Sequence, residues 1–224
     1  MVSNLIQLPI RTANEKKKER RHVNLDKLRY YSEAEIKALR RLAREQAEVS
    51  ASRGTVTGIR TWMVVDLLTS SGLRVSEAAN LCCGDLRIGH GQAEIHVRNG
   101  KGNVSGMVVI PDSLKRHLKT FLLWKEQHRE DISSDAPLFQ GQRGKVTSQA
   151  LQLIIKKCLK RLGLYEKGKS AHSLRHSYAV ALYKQNKDLR AVQKQLRHVS
   201  IQSTTIYADV TKEELQEQVK GLWG

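Results

Sequence analysis

The sequence lacks the patterns that most often announce phosphate chemistry. It contains no G-x-x-x-x-G-K-[ST] phosphate loop and no G-x-G-x-x-G turn. It contains no D-x-D-type carboxylate cluster of the kind that holds magnesium for two-metal nuclease chemistry. Eight histidines are present, but none lies in an H-E-x-x-H or C-x-x-C setting. Chemistry on a phosphate would therefore rest on Arg, Lys and His side chains, with no metal and no cofactor expected. Cysteine is scarce. Three cysteines cannot close a disulfide framework, and Cys82-Cys83 has no metal-site spacing, so a reducing cytoplasm fits best. Long apolar runs are missing too. The stretch from Trp62 to Val65 ends at Asp66, which excludes a membrane span. Ile6 to Ile10 is broken by Pro9 and followed by basic residues, which does not read as a secretory signal.

What is abundant is positive charge. The chain has 224 residues, with 39 Lys and Arg against 22 Asp and Glu, a formal net charge of +17. Its 40% of hydrophobic residues can supply a core, which separates it from a disordered polycation. The length suits one domain, or one domain with a small extension. The charge points to a polyanionic partner, and nucleic acid comes first, because neutralising phosphates releases counterions and drives binding.

The charge is unevenly placed. Arg11 to Arg29 holds eight Lys or Arg and three Asp or Glu, without apolar periodicity until Val23. Residues 1–24 are expected to form a mobile basic arm, and Arg11, Lys16, Lys17, Lys18, Arg20 and Arg21 are its candidate phosphate contacts. Residues 25–224 are expected to form the main domain. Order is expected from Tyr31, because Ser32 and Glu35 have capping-box spacing and Ile36, Leu39 and Leu42 share a helical face. Ile59 to Leu68 reads as a helix buried on all sides, stopped at Gly72, and Val75 to Leu81 as a short third helix. The period then changes. Asp85 to Ile88, Ala93 to Val97 and Val104 to Ile110 predict a small three-stranded antiparallel sheet, with turns at Gly89 to Gly91 and Asn99 to Gly102. Helices are predicted after Pro111, over Leu151 to Leu159, and over about 173–185, 188–197 and 201–207. A last one begins at Thr211, with Leu215, Val219 and Leu222 as its stripe. Pro137 to Phe139 reads as a loop or short extended piece, and Lys145 as a loop residue. The fold class is α+β and mostly helical.

Three segments gather groups suited to an anion. Arg74 stands just after the helix-ending Gly72 between apolar Leu73 and Val75, where an unpaired guanidinium would be costly. Glu77, three residues on, can pair with it. His172 and Arg175 share a helical face at a spacing of three. His198 precedes Tyr207 by nine residues. Cys82, Cys83 and Cys158 read as small core residues, and His176 reads equally well as a structural histidine.

These segments resemble the boxes of the tyrosine recombinases, also called the phage integrase family. The chain offers S-G-L-R-V-S-E-A-A-N-L from Ser71, G-K-G from Gly100, H-S-L-R-H-S-Y-A from His172 and L-R-H-V-S-I-Q-S-T-T-I-Y from Leu196. All four occur in family order, over roughly Tyr31 to the C-terminus, with 32 residues from Arg175 to Tyr207.

The resemblance implies that Tyr207 attacks a DNA phosphodiester to give a 3′-phosphotyrosine. Arg74 and Arg175 would clamp the non-bridging oxygens. Lys101 would protonate the leaving 5′-oxygen. His172 would hydrogen-bond the phosphate or assist proton movement at Tyr207, His198 would donate to a phosphate oxygen, and Glu77 would orient Arg74 and His172. It implies a site-specific recombinase acting on double-stranded DNA with inverted-repeat sites. Four protomers would assemble on DNA and exchange C-terminal segments. The setting would be the cytoplasm and nucleoid, on a bacterial, archaeal or viral element. A nicking-closing enzyme like the type IB topoisomerases, and a non-cleaving DNA-binding regulator, are the alternatives. Two departures stand out. Arg197 occupies the place of the usual Gly before the last His. Only about thirty residues precede the first ordered helix, which fits either a short member with a basic arm in place of a core-binding domain or a catalytic fragment, the short member being favoured.

Overall fold

A computed structural model gives the structure of residues 29–98, 105–141, 144–207 and 219–220. The basic arm, Lys101 and, apart from Val219, the 211–222 stripe lie outside these described residues.

The first helix, α1 (Glu33–Ser52), begins with the expected capping box. The Ser32 hydroxyl accepts from the Glu35 amide, and the Glu35 carboxylate accepts from the Ser32 amide at 2.6 Å. Helix α2 (Thr57–Ser71) is the buried axis of the domain. Its Asp66 is buried and takes Arg40 of α1 at 2.6 Å and His117 of α4 (Asp112–Gln127) at 2.7 Å, so one carboxylate ties three helices. Gly72 ends α2 in the left-handed region, with φ of +67°, where a side chain is disfavoured. A short extended link then leads into α3 (Val75–Asn80).

After a single 3₁₀ turn at Cys83–Asp85 come β1 (Leu86–Arg87), β2 (Glu94–Val97) and β3 (Gly106–Val109). They pair antiparallel in the order β1-β2-β3, with Ile95 opposite Val108 and His96 opposite Met107. Alternation follows the pleat: Ile95, Val97 and Val108 are buried while Met107 and Val109 face out. The sheet is therefore where the sequence places it, with shorter strands.

One hairpin departs from expectation. Gln140–Gly141 (β4) pairs with Gly144–Lys145 (β5), so Lys145 lies in a strand rather than a loop. The segment before it is anchored: Leu138 and Phe139 are buried, and the Leu138 amide donates to the Leu81 carbonyl. The fully buried Lys125 ammonium reaches the Pro137 carbonyl at 3.2 Å and Glu130 at 3.0 Å, satisfying its charge.

Helix α5 (Ser148–Arg161) completes the main core, which α6 (Ala171–Asn186) enters through Ala171 and Leu174. Helices α7 (Leu189–Leu196) and α8 (Gln202–Thr205) follow. A second, smaller cluster joins Ala179, Val192, Leu196 and Tyr207, with Tyr178, Tyr183 and Ile206 against it. This cluster is what buries Tyr207. Among the described residues no helix is long and apolar enough to cross a membrane.

Candidate active site

The site is assembled from the ends of helices. Arg74 is the N-cap of α3, and the Glu77 carboxylate turns back onto it. It accepts from the Arg74 amide and from Arg74 Nη1, each at 2.7 Å. The pairing expected from sequence is present, and it caps a helix as well as holding a charge.

Glu77 does more than hold Arg74. Its Oε2 accepts from Arg197 Nη2 at 2.6 Å and lies 3.8 Å from Arg175 Nη1. Three guanidiniums thus surround one buried carboxylate. Burial alone would raise the Glu77 pKa, but the charge of Arg197 and the hydrogen bonds from Arg74 and Arg197 outweigh it and hold the carboxyl below its usual range.

Arg175 is 2% exposed and is held by two main-chain carbonyls at 2.6 Å. Nη1 donates to Gly72 O at the end of α2, and Nη2 donates to Leu196 O at the end of α7. Both acceptors sit at the negative ends of helices, which suits a cation. Burial and then the nearby Arg74 charge pull its pKa down to about 10, so it keeps its proton at neutral pH.

Arg197 is the residue that stands where Gly was expected. It is the C-cap of α7 and adopts φ of +53°, a left-handed conformation that costs a non-glycine residue about 1–2 kcal/mol. Its side chain is 7% exposed, and beyond the bond to Glu77 its Nε and Nη1 are buried with no partner among the described residues. The absence of a side chain at Gly106 makes room for it: a Cβ there would lie 2.8 Å from Arg197 Cδ.

The histidines gather around Tyr207. His198 Nδ1 pairs with the buried Thr204 hydroxyl at 2.9 Å. Its ring stacks towards Tyr207 with centroids 6.4 Å apart. His172 is exposed at the start of α6, and its ring meets His176 edge-on at 4.6 Å. His176 Nδ1 lies 2.8 Å from the Tyr207 hydroxyl. Burial first, then neighbouring cationic groups, push His176 and His198 down to about 4, so both are neutral at physiological pH. Tyr207 is 6% exposed. Burial raises its phenol pKa, while Arg175 and Arg74 act in the opposite direction.

Arg74, Glu77, Arg175, His198 and Tyr207, all expected from sequence, converge, with His172 at the rim beside His176. Lys101 is outside the described residues. Two participants were missed as such: His176, whose position beside Arg175 was the available signal, and Arg197, visible only as a departure from a motif. Among the described residues no group of three or more His, Cys, Asp or Glu is placed to hold a metal ion.

The chain is 33% identical over 159 residues to the tyrosine recombinase XerH of Campylobacter jejuni, covering 70% of this chain and 43% of that protein. It is 34% identical over 170 residues to the tyrosine recombinase XerD of Oceanobacillus iheyensis, covering 73% and 54%. It thus spans about half the length of these relatives. Among solved structures, XerA recombinase superposes with a TM-score of 0.67 at 26% identity, over 85% of this chain and 64% of that one. The XerH site-specific recombinase bound to difH substrate, a pre-cleavage complex, gives 0.69 at 25% identity over 91% and 57%. The phage integrase family model matches residues 29–214, and the chain belongs to that family.

Proposed function

We propose that this chain is a DNA site-specific recombinase that cuts and rejoins strands through a covalent bond to Tyr207. The observation that carries the reading is the setting of that hydroxyl. It is buried, hydrogen-bonded to a neutral imidazole and influenced by Arg74 and Arg175. A phenol placed among fixed cations suits attack on an anionic phosphodiester, because the guanidiniums offset charge that grows on the phosphoryl oxygens.

In the proposed step Tyr207 Oη bonds to the scissile phosphorus and the bond to the 5′-oxygen breaks. The product is a 3′-phosphotyrosine and a free 5′-hydroxyl. The new bond stores the energy of the old one, so rejoining is the same step in reverse. Arg74 and Arg175 hold the non-bridging oxygens, with Glu77 keeping Arg74 in place. His198 donates to a phosphate oxygen from Nε2, since its Nδ1 is engaged by Thr204. His172 lies at the phosphate, and Lys101 protonates the leaving oxygen.

Double-stranded DNA with inverted repeats is the proposed substrate, supported by relatives that are recombinases and by a similar structure bound to its DNA substrate. Arg11, Lys16, Lys17, Lys18, Arg20 and Arg21, in the proposed arm of residues 1–24, grip the backbone without reading sequence. Residues 25–224 form the catalytic part. Four protomers act together on two duplexes, joined through their C-terminal segments.

The test uses random-sequence duplexes, each carrying a nick close to one potential cleavage point so that cleavage releases a short strand and cannot reverse. Wild-type protein should form a denaturant-resistant adduct on a subset of sequences, with the DNA mapped to Tyr207 by mass spectrometry. Tyr207→Phe should form none. No adduct from wild type, or an adduct that survives Tyr207→Phe, overturns the reading.

A further inference from the structure

Among the described residues the Tyr207 hydroxyl is hydrogen-bonded to His176, which is not the histidine that the sequence motif singles out. His176 Nδ1 lies 2.8 Å from the hydroxyl, with ring centroids 5.8 Å apart and planes inclined by 48°. His176 directly follows Arg175, and neighbours on a helix point about 100° apart. One helical step of α6 therefore sends Arg175 to the carbonyls of Gly72 and Leu196, and His176 to Tyr207. His172, one turn earlier, meets the edge of the His176 ring.

We propose that His176 Nδ1 takes the proton from Tyr207 as the hydroxyl attacks phosphorus, and returns it when the strand is rejoined. This rests on the reading of Tyr207 as nucleophile. The balance is simple. The Tyr207 oxygen gains a bond to phosphorus and loses its proton to Nδ1, which becomes part of an imidazolium. The 5′-oxygen leaves with the electron pair of the broken bond and accepts a proton from the acid, assigned above to Lys101. Rejoining runs each transfer backwards.

The surroundings tie the proton transfer to bond formation. The phenol is raised by burial, so it keeps its proton in the resting state and needs an acceptor at the moment of attack. His176 is held neutral by burial first and by the charge of Arg175, so its lone pair is available. The same surroundings make an imidazolium unfavourable there until negative charge builds on the phosphoryl group. The proton moves with the nucleophile rather than before it, as general base catalysis requires.

The role requires one tautomer, with Nε2 protonated and Nδ1 bare. Nitrogen-15 NMR on histidine-labelled wild-type protein at neutral pH, without DNA, reads this directly. The expected result is an Nε2–H imidazole for His176 with an unprotonated Nδ1. A proton on Nδ1 would make Tyr207 the acceptor and overturn the proposal. The kinetic arm uses nicked duplexes trapped by the wild-type protein. His176→Asn keeps an acceptor near the Nδ1 position but is not basic. It should cleave about 10²- to 10⁴-fold more slowly, in the range of a lost general base, while binding DNA as before. Placing the more acidic 3-fluorotyrosine at position 207 should recover part of the rate in the His176→Asn protein and gain less in wild type. Equal response in both, or unimpaired cleavage by His176→Asn, overturns the proposal while leaving Tyr207 as nucleophile. Absence of any wild-type adduct overturns the recombinase reading instead, and the NMR result stands apart from it.

Discussion

Arg197 reaches Glu77 from a left-handed backbone position: Nη2 lies 2.6 Å from Oε2, and the residue sits at φ of +53°. One carboxylate therefore serves three guanidiniums, from Arg74, Arg175 and Arg197. Removing its charge leaves those cations uncompensated. Glu77→Gln should cost about 3–5 kcal/mol, the range for breaking a buried ion pair from one side. Denaturant unfolding measures it. Added sulfate should stabilise the variant more than the wild type, because an anion can replace the lost charge. A loss below about 1 kcal/mol would place Glu77 among exposed pairs of little consequence.

Arg197 itself allows a cleaner comparison. Arg197→Gly and Arg197→Ala both remove the bond to Glu77 and the two unpartnered nitrogens, and differ only in backbone tolerance. Glycine accepts φ of +53° freely and alanine does not, so the Gly variant should be more stable than the Ala variant by about 1 kcal/mol. Paired melting curves give the difference. Equal stability would mean that the α7 terminus relaxes out of the left-handed region when the side chain is lost.

Gly72 is constrained twice. It lies at φ of +67°, and a Cβ there would fall 2.5 Å from Tyr178 Cδ1. Its carbonyl also holds Arg175. Gly72→Ala should destabilise by about 2–4 kcal/mol, combining left-handed strain with overpacking. Because Arg175 moves with that carbonyl, cleavage per folded molecule should fall as well. Unchanged cleavage at normal stability would show that Arg175 does not depend on this link.

The histidines predict a pH dependence of stability. His176 faces His172 and Arg175 on its own helix, His198 from the segment after α7, and Tyr207. His198 faces Arg175, Arg74, Arg197 and His172. Both are lowered from 6.5 to about 4 in the fold. Between those values the unfolded chain binds more protons than the folded one, so stability rises with pH across that window and falls as pH drops from about 6.5 to about 4. Unfolding measured at several pH values should show this slope. His176→Asn should flatten part of it. An unchanged slope in that variant would assign the effect to other groups.

Much of this was legible in the sequence, and the remainder was hidden for physical reasons. The capping box at Ser32 and Glu35, the stop at Gly72 and the alternation in β2 are local patterns, and each appears in the structure. The Arg74–Glu77 pair spans three residues and could be read directly. The contact between Arg197 and Glu77 spans 120 residues, and no local pattern encodes it. His176 was visible but ambiguous, because a histidine beside a motif residue shows nothing of what its ring faces. Strands β4 and β5 have two residues each, too short for any period. Lys125 drew no attention in the sequence, yet it is fully buried, with Glu130 and the Pro137 carbonyl as its hydrogen-bond partners.

The free edge of the sheet has a further consequence. Among the described residues, strand β3 pairs with β2 on one side only. On the other, the Gln195 amide of α7 donates to the Val109 carbonyl at 2.7 Å and accepts from the Val109 amide at 3.3 Å. A side-chain amide thus stands in for the next strand's peptide group. It occupies the donor and acceptor that a second polypeptide would need to extend the sheet at that point. Gln195 lies in the last turn of α7, two residues before Arg197, so the helix end that leads to His198 also occupies this edge of the sheet.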